Sequence, residues 1–281
     1  MKNRPWNKKT IKEMVKNRYG SLIQQKDGGC CAGSASDCGC FSPQAEQTVP
    51  PLVEYPGEEL NGIPADAVTH SFGCGNPLAF AEVEAGQTVL DIGSGAGIDC
   101  FLAAKMVGPD GRVIGVDMTP EMIHRARANA EAGNFHNVEF RLGEADHLPV
   151  GDESVDWIIS NCVINLAPDK PAVFREIARV LRPGGRFIIS DIVLSDNLPE
   201  AITRNVFAWT SCLAGAITEN EYLQGLIQAG LNDVCIESRF PLERNVILSF
   251  LKSEDFEADN LNRILDQITG KVWSAKIRGK K

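Results

Sequence analysis

The sequence predicts an α/β fold: a doubly wound, mostly parallel sheet with helices on both faces. Three observations predict it. Between about residues 64 and 195, short apolar, β-branched runs alternate with helical segments, as expected of strands buried on both faces beneath crossover helices. A glycine-rich turn, Gly93-Ser94-Gly95-Ala96-Gly97, joins the first run to the helix after it. Carboxylates, Asp117 and Glu144, stand at the ends of later runs, where the carboxyl edge of a parallel sheet makes its ligand crevice.

In chain order, residues 1–63 form an amino-terminal helix and a Cys-rich loop. Ile11, Val15, Tyr19, Leu22 and Ile23 recur at helical spacing and define a docking face. "DGGCCAGSASDCGCFSPQ" shows no periodicity. It is expected to be mobile, because nothing apolar in it offsets the entropy of ordering. Residues 64–195 are the ligand-binding core. "TVLDIG" (Thr88–Gly93) is its first strand, followed by the helix "IDCFLAAKMVG"; "RVIGVD" (Arg112–Asp117) is the second. "TPEMIHRARANAEAG" is a helix with Thr119 as N-cap, Pro120 at the first position and Gly133 at the stop. "VEFRLG" and "VDWIIS" are the third and fourth strands. "PDKPAVFREIARVLRPGG" is a helix capped by Asp169 and ended by Pro183 and the glycines, before a fifth strand, "RFIISDIV". Residues 196–281 are an α+β extension. It is helical through "LPEAITRNVFAWTSCLAG" and "TENEYLQGLIQAG", and its strands "NDVCIES" and "KVWSAKIR" would lengthen the sheet at one edge.

With 43% hydrophobic and 23% charged residues, the 281-residue chain has a globular composition. No apolar run approaches the roughly 18 residues of a membrane helix, and the amino terminus lacks the apolar centre of a secretory signal. A cytoplasmic monomer without membrane association is expected. A net charge of −9 argues against nucleic acid as a partner; the basic residues at both ends read as solvated faces. Nine cysteines without a signal peptide do not suggest a secreted disulfide framework.

The turn departs from the dinucleotide fingerprint, because Ile98 stands where the third glycine belongs and the pattern is G-x-G-x-G. With no pyrophosphate to cradle, it suits a nucleoside carrying an amino-acid tail. Asp117 is placed to accept hydrogen bonds from ribose hydroxyls, and Glu144 to meet an adenine amino group.

"DIGSGAG", "GVDMT", "GEADHLPV", "SVDWIISN" and "VLRPGGRF", in this order and spacing, resemble the Rossmann-like S-adenosylmethionine-dependent methyltransferases. The resemblance implies that Asp91, Gly93, Gly95 and Gly97 hold the methionine end of that cofactor. It places Asp117 and Met118 at the ribose, Glu144 and Ala145 at the adenine, and Phe72 and Asn161 beside the cofactor. Core packing is as good a reading for Phe72, and turn chemistry for Asn161. "FGCGNP", "DIGSGAGIDC", "ISNCVINLAPDK", "FREIARVLRPGGR" and "SCLAGAI" further resemble one family, the arsenite methyltransferases. Cys74, Cys162 and Cys212 match its three arsenic-coordinating thiolates. Three soft thiolates would hold trivalent arsenic as a pyramid with its lone pair free to attack the methyl group in line, a task of positioning that needs no general base. The resemblance also implies a disulfide between Cys74 and Cys30 or Cys31, which would return two electrons to arsenic. A thioredoxin-like protein or small thiol would reset it.

Cys38 and Cys40 are open between spare redox partners, metalloid capture and no role. The spacing C-C-x6-C-x-C lacks the C-x2-C pairs of zinc knuckles, and no metal site other than the arsenic one is expected. Cys100 and Cys235 read as core residues. His70, His124, His136 and His147 show no ligand spacing. The alternatives are a methyltransferase for a carbon acid such as a quinone-ring or lipid precursor, and a thiol-based metalloid binder without turnover.

Overall fold

The computed structural model describes residues 6–25, 55–71, 73, 75–251 and 255–281. Cys30, Cys31, Cys38, Cys40, Phe72 and Cys74, and with them the Cys-rich loop, lie outside the described residues. The centre of the molecule is a sheet of parallel strands β1 (Thr88–Ile92), β2 (Arg112–Asp117), β3 (Val138–Leu142), β4 (Val155–Asn161) and β5 (Leu181–Leu194). A two-residue strand, β6 (Ile217–Thr218), pairs with the end of β5. Strands β7 (Asn232–Pro241) and β8 (Val272–Lys280) complete the order β3-β2-β1-β4-β5-β8-β7. β8 runs antiparallel between β5 and β7, so the extension does lengthen the sheet, with its later strand innermost.

The expected strands form because their apolar side chains fill both faces. In β4 every residue from Val155 to Ser160 is buried, and in β1 only Thr88 is partly open. Helices α3 (Ile98–Val107), α4 (Pro120–Ala132) and α5 (Lys170–Val180) follow β1, β2 and β4. Asp169 caps α5 by accepting from Ala172 N–H. Thr119 holds the N-cap position of α4, yet its side chain accepts no helix N–H; its own backbone N–H instead donates to Asp117 at 2.8 Å.

The fifth strand begins earlier than its sequence suggests. Leu181 already pairs with Val155, then the register shifts, and pairing resumes at Arg186 with Trp157. "RPGG" is therefore an irregularity within β5 rather than the end of α5, with Gly184 at φ +79°. In the extension, α6 (Glu200–Thr203) and α7 (Val206–Thr210) are short, and α8 (Glu219–Gln228) starts with a capping box between Thr218 and Glu221. Three α-helices among the described residues have no counterpart in the sequence reading, α2 (Ala65–Thr69), α9 (Arg244–Ser249) and α10 (Ala258–Ile268). α10 buries Leu261, Ile264, Leu265 and Ile268, a one-sided stripe.

Near the chain start, α1 (Lys8–Gln25) is the expected docking helix. Ile11, Val15, Leu22 and Ile23 are buried and Tyr19 partly so. Ile11 and Val15 enter one apolar cluster with Trp209, Cys162 and Cys212. Lys8 pairs with Asp169 at the start of α5, and the Arg18 guanidinium lies 4.3 Å from the centre of the Phe207 ring on α7. The helix thus bridges the core and the extension.

Candidate active site

The carboxyl ends of β1, β2, β3 and β4 open on one cleft, beside the switch point between β1 and β4 where the connections reverse direction. Its volume is about 1040 Å³ with solvent at the mouth included. Gly93, Ser94 and Gly95 form its floor, and two glycines of the turn have no substitute. Gly93 has φ +80° and a Cβ there would sit 2.1 Å from Val163; Gly97 has φ +100° and a Cβ would meet Phe140 at 2.8 Å. Ser94 Oγ is buried and has no hydrogen-bond partner among the described residues, as a group reserved for a ligand would be.

Asp117 ends β2 and accepts from Gly95 N–H at 3.0 Å and Thr119 N–H at 2.8 Å, fixing the turn. Met118, Glu144, Ala145 and Asn161 also line the cleft; Asp91 and Gly97 do not. Asp91 is buried and accepts from Cys100 Sγ at 3.3 Å. In front of it, Asp99 on the first turn of α3 lines the cleft. Asp99 accepts from Tyr55 Oη at 2.8 Å and from Asn161 Nδ2 at 3.2 Å. Burial raises the pKa values of Asp91 and Asp117, and that of Asp99 to about 6; Asp99 adds its charge against Asp91. Three crowded carboxylates make this wall complementary to a cation.

Glu144 and Asp146, beyond β3, both accept from Lys12 Nζ of α1, at 2.6 and 2.8 Å. Lys12, Val15 and Tyr19 therefore close one side of the cleft.

On the fourth side stands Cys162, directly after β4. Its N–H donates to Ser190 O at 2.8 Å, and its φ is +58°. Cys212, just beyond α7, has φ +68°. Its Sγ donates to the backbone oxygen of Cys162 at 2.9 Å, which brings the two cysteines together from positions 50 residues apart. Left-handed backbone at two non-glycine residues costs energy and persists where the surroundings over-determine it, a pattern of functional sites. Burial, and then the nearby Asp191 charge, hold the Cys212 thiol well above its ordinary pKa, while a hydrogen bond with Tyr19 opposes them. Asp191 accepts from Asn165 Nδ2 at 2.8 Å and Tyr222 Oη at 3.2 Å, and burial raises its pKa to about 7. Cys162 is disulfide-bonded. Cys100, Cys212 and Cys235 are free, so its partner lies outside the described residues. No group of three or more metal-ligating side chains occurs among the described residues.

The sequence reading did not single out Asp99, Tyr55, Lys12 or Tyr19 for this site. The position of Asp99 was visible as the first acidic residue after the glycine turn. Tyr55 and Lys12 carry no local signal, because they meet Asp99 and Glu144 from 44 and 132 residues earlier in the chain.

The chain matches the methyltransferase domain family over residues 83–230. It is 48% identical to an arsenite methyltransferase of Halobacterium salinarum, across 79% of this chain and 58% of that protein. The human arsenite methyltransferase is 32% identical across 74% of this chain and 54% of its own length. The chain thus spans little more than half of the curated relatives it matches. The crystal structure of an arsenic(III) S-adenosylmethionine methyltransferase from Chlamydomonas reinhardtii superposes with a TM-score of 0.64 at 31% identity, covering 85% of this chain and 74% of that one. With the parallel sheet, the glycine turn and the acidic wall in place, the chain belongs to the arsenite methyltransferase family of S-adenosylmethionine-dependent enzymes.

Proposed function

We propose that this chain methylates trivalent arsenic, presented as arsenite or a thiol conjugate and held by the thiolates of Cys74, Cys162 and Cys212. One observation carries the reading. Cys162 and Cys212, both in left-handed backbone, are joined by a 2.9 Å hydrogen bond at the rim of the cofactor cleft.

The cleft suits the family's cofactor. Its buried Ser94 Oγ and its carboxylates at Asp99 and Asp117 match an amino-acid tail, a sulfonium and ribose hydroxyls. S-adenosylmethionine, when bound, supplies an electrophilic methyl group on a positively charged sulfur. Asp117 has acceptor capacity left for ribose, and Glu144 for an adenine amino group in exchange for Lys12. The cysteine thiols displace oxygen or thiol ligands from arsenic, each displaced ligand leaving with the proton of the thiol that replaces it. Arsenic keeps its lone pair, so the protein aligns reactants and excludes water rather than supplying a base.

Methyl transfer leaves arsenic pentavalent. Two cysteine thiolates joining as a disulfide would return two electrons, with Cys74 and Cys30 or Cys31 the proposed pair. A thioredoxin-like protein or small dithiol would then reduce that disulfide. Cys162 is disulfide-bonded in this structure, so binding of arsenic by its thiolate requires that bond to be reduced first.

Cys162→Ser and Cys212→Ser are each expected to abolish methylation of arsenite in the presence of S-adenosylmethionine and a thiol, read as methylated arsenicals by chromatography. Wild-type product from Cys162→Ser would sink the mechanism. Replacing Cys30 and Cys31 together should slow repeated turnover and leave binding of trivalent arsenic intact.

A further inference from the structure

Asn161 closes β4 immediately before Cys162, and its backbone is fixed by pairing with Ser190 on β5. Its side chain leaves the sheet and makes a two-point contact with the segment that carries Cys74. Oδ1 accepts from Gly75 N–H at 3.0 Å and Nδ2 donates to Gly75 O at 2.6 Å. Both glycines flanking Cys74 stand where an added Cβ would crowd a neighbour. A Cβ on Gly73 would lie 2.3 Å from Asn161 Nδ2, and one on Gly75 would lie 2.7 Å from Ser190 Oγ. The same Nδ2 lies 3.2 Å from the Asp99 carboxylate and 3.3 Å from Tyr55 Oη, and Asp99 faces the cofactor cleft. One amide therefore touches the cofactor wall and the backbone of the thiol-bearing segment.

Building on the reading above, we infer that Asn161 is a positioning residue that couples the two ligands. Through its contacts with Asp99 and Gly75, occupancy of the cleft by a ligand bearing an α-ammonium group fixes the backbone at Gly75 and so raises the affinity for arsenic. The chain of cause is short. A cation beside Asp99 holds that carboxylate charged. A charged Asp99 holds Asn161 Nδ2 more firmly, and the amide, no longer free to rotate, keeps both bonds to Gly75. Coupling of this kind is reciprocal, so arsenic tightens cofactor binding by the same factor.

The test measures affinity for arsenite by calorimetry on the reduced protein, with and without S-adenosylhomocysteine, which carries the ammonium group but no transferable methyl. In the unmodified protein the product should tighten arsenite binding about fivefold or more. In Asn161→Ala the ratio should fall to about one. A general loss of stability would lower both affinities and leave their ratio, so retention of the full ratio in Asn161→Ala overturns the inference. Asn161→Asp keeps an acceptor for Gly75 N–H, loses the donor and repels Asp99; it should lose the coupling too, and replaces the alanine variant if that fails to fold. Hydrogen exchange at Gly75 N–H gives a readout free of arsenic. S-adenosylhomocysteine should slow that exchange in the unmodified chain and leave it unchanged in the variants. If the unmodified chain binds no arsenite, the proposed function fails, and exchange at Gly75 still decides the role of Asn161: no slowing refutes it.

Discussion

Asp99 combines a cleft-facing carboxylate, two hydrogen-bond donors and a pKa raised to about 6 by burial. A bound cation favours its charged form, so cofactor binding expels a proton wherever the free protein still holds one. Affinity for S-adenosylhomocysteine should therefore rise as pH increases through about 6 and level off above it. Calorimetry in two buffers of different ionisation enthalpy should find proton release near that pH and little near pH 8, by the same linkage. Asp99→Asn should bind about tenfold more weakly, the equivalent of one charge-assisted hydrogen bond, and show no such slope. Another single-residue expectation concerns Gly215. A Cβ there would stand 2.0 Å from the backbone oxygen of Asn165, a neighbour that cannot rotate away. Gly215→Ala should lose about 3 kcal/mol or more in chemical denaturation. Part of this detail was open to sequence reading. The cleft positions of Asp117, Glu144 and Cys162 were legible because each stands at or just beyond the carboxyl end of a strand. Asp99 and Asn161 are positioned by one another and by Tyr55, and no local pattern encodes a three-body arrangement.

Among the elements, α1 shows how far periodicity reaches. Ile11, Val15, Leu22 and Ile23 told which face is apolar, but the polar side also has an address. Lys12 is three-quarters out of solvent and bridges Glu144 and Asp146 across 2.6 and 2.8 Å. Glu144 is about half exposed, and an ion pair that keeps this much solvent contributes little to stability, so its effect should appear in kinetics. Lys12→Met should speed dissociation of S-adenosylhomocysteine several-fold in stopped-flow displacement, with a change of about 1 kcal/mol or less in unfolding free energy. A dissociation rate equal to that of the unmodified chain would mean that α1 does not restrain the ligand. The parallel strands were legible because burial on both faces writes them as unbroken apolar runs. The start of β5 was not, since "RPGG" carries the residues of a helix stop and a turn, and only pairing with Val155 makes Leu181 part of a strand. α10 shows the opposite case: its stripe at Leu261, Ile264, Leu265 and Ile268 was present in the sequence and passed over.

For the molecule as a whole, the balance of carboxylates fixes the direction of its pH response. Asp91, Asp99, Asp117 and Asp191 have raised pKa values in the folded chain. The native state then binds more protons than the unfolded one, and stability declines as pH climbs from about 4 to about 7. Glu139, lowered to about 2 chiefly by its hydrogen bond with Arg141, and Asp169 and Glu176, also lowered, act oppositely. Their contribution is lost as pH falls below about 4. The unliganded protein should therefore melt at a higher temperature near pH 5 than near pH 8, and S-adenosylhomocysteine should narrow that gap by accepting the acidic wall in its charged form. A melting temperature that instead rises from pH 5 to pH 8 without ligand would refute this account.

The placement of β8 between β5 and β7 also bears on how the chain is made. β5 is complete once residue 194 has been synthesised, yet its partner on that side spans Val272–Lys280. Roughly eighty further residues must leave the ribosome before that edge is covered, and β7, which emerges earlier, pairs among the described residues with β8 alone. Until then the growing chain carries an open strand edge, Arg186 to Leu194, rich in isoleucine and valine, the kind of template on which nascent chains aggregate. A nascent chain arrested near residue 260 should thus depend on chaperones, and release of the segment through Lys280 should end that dependence in a single late step.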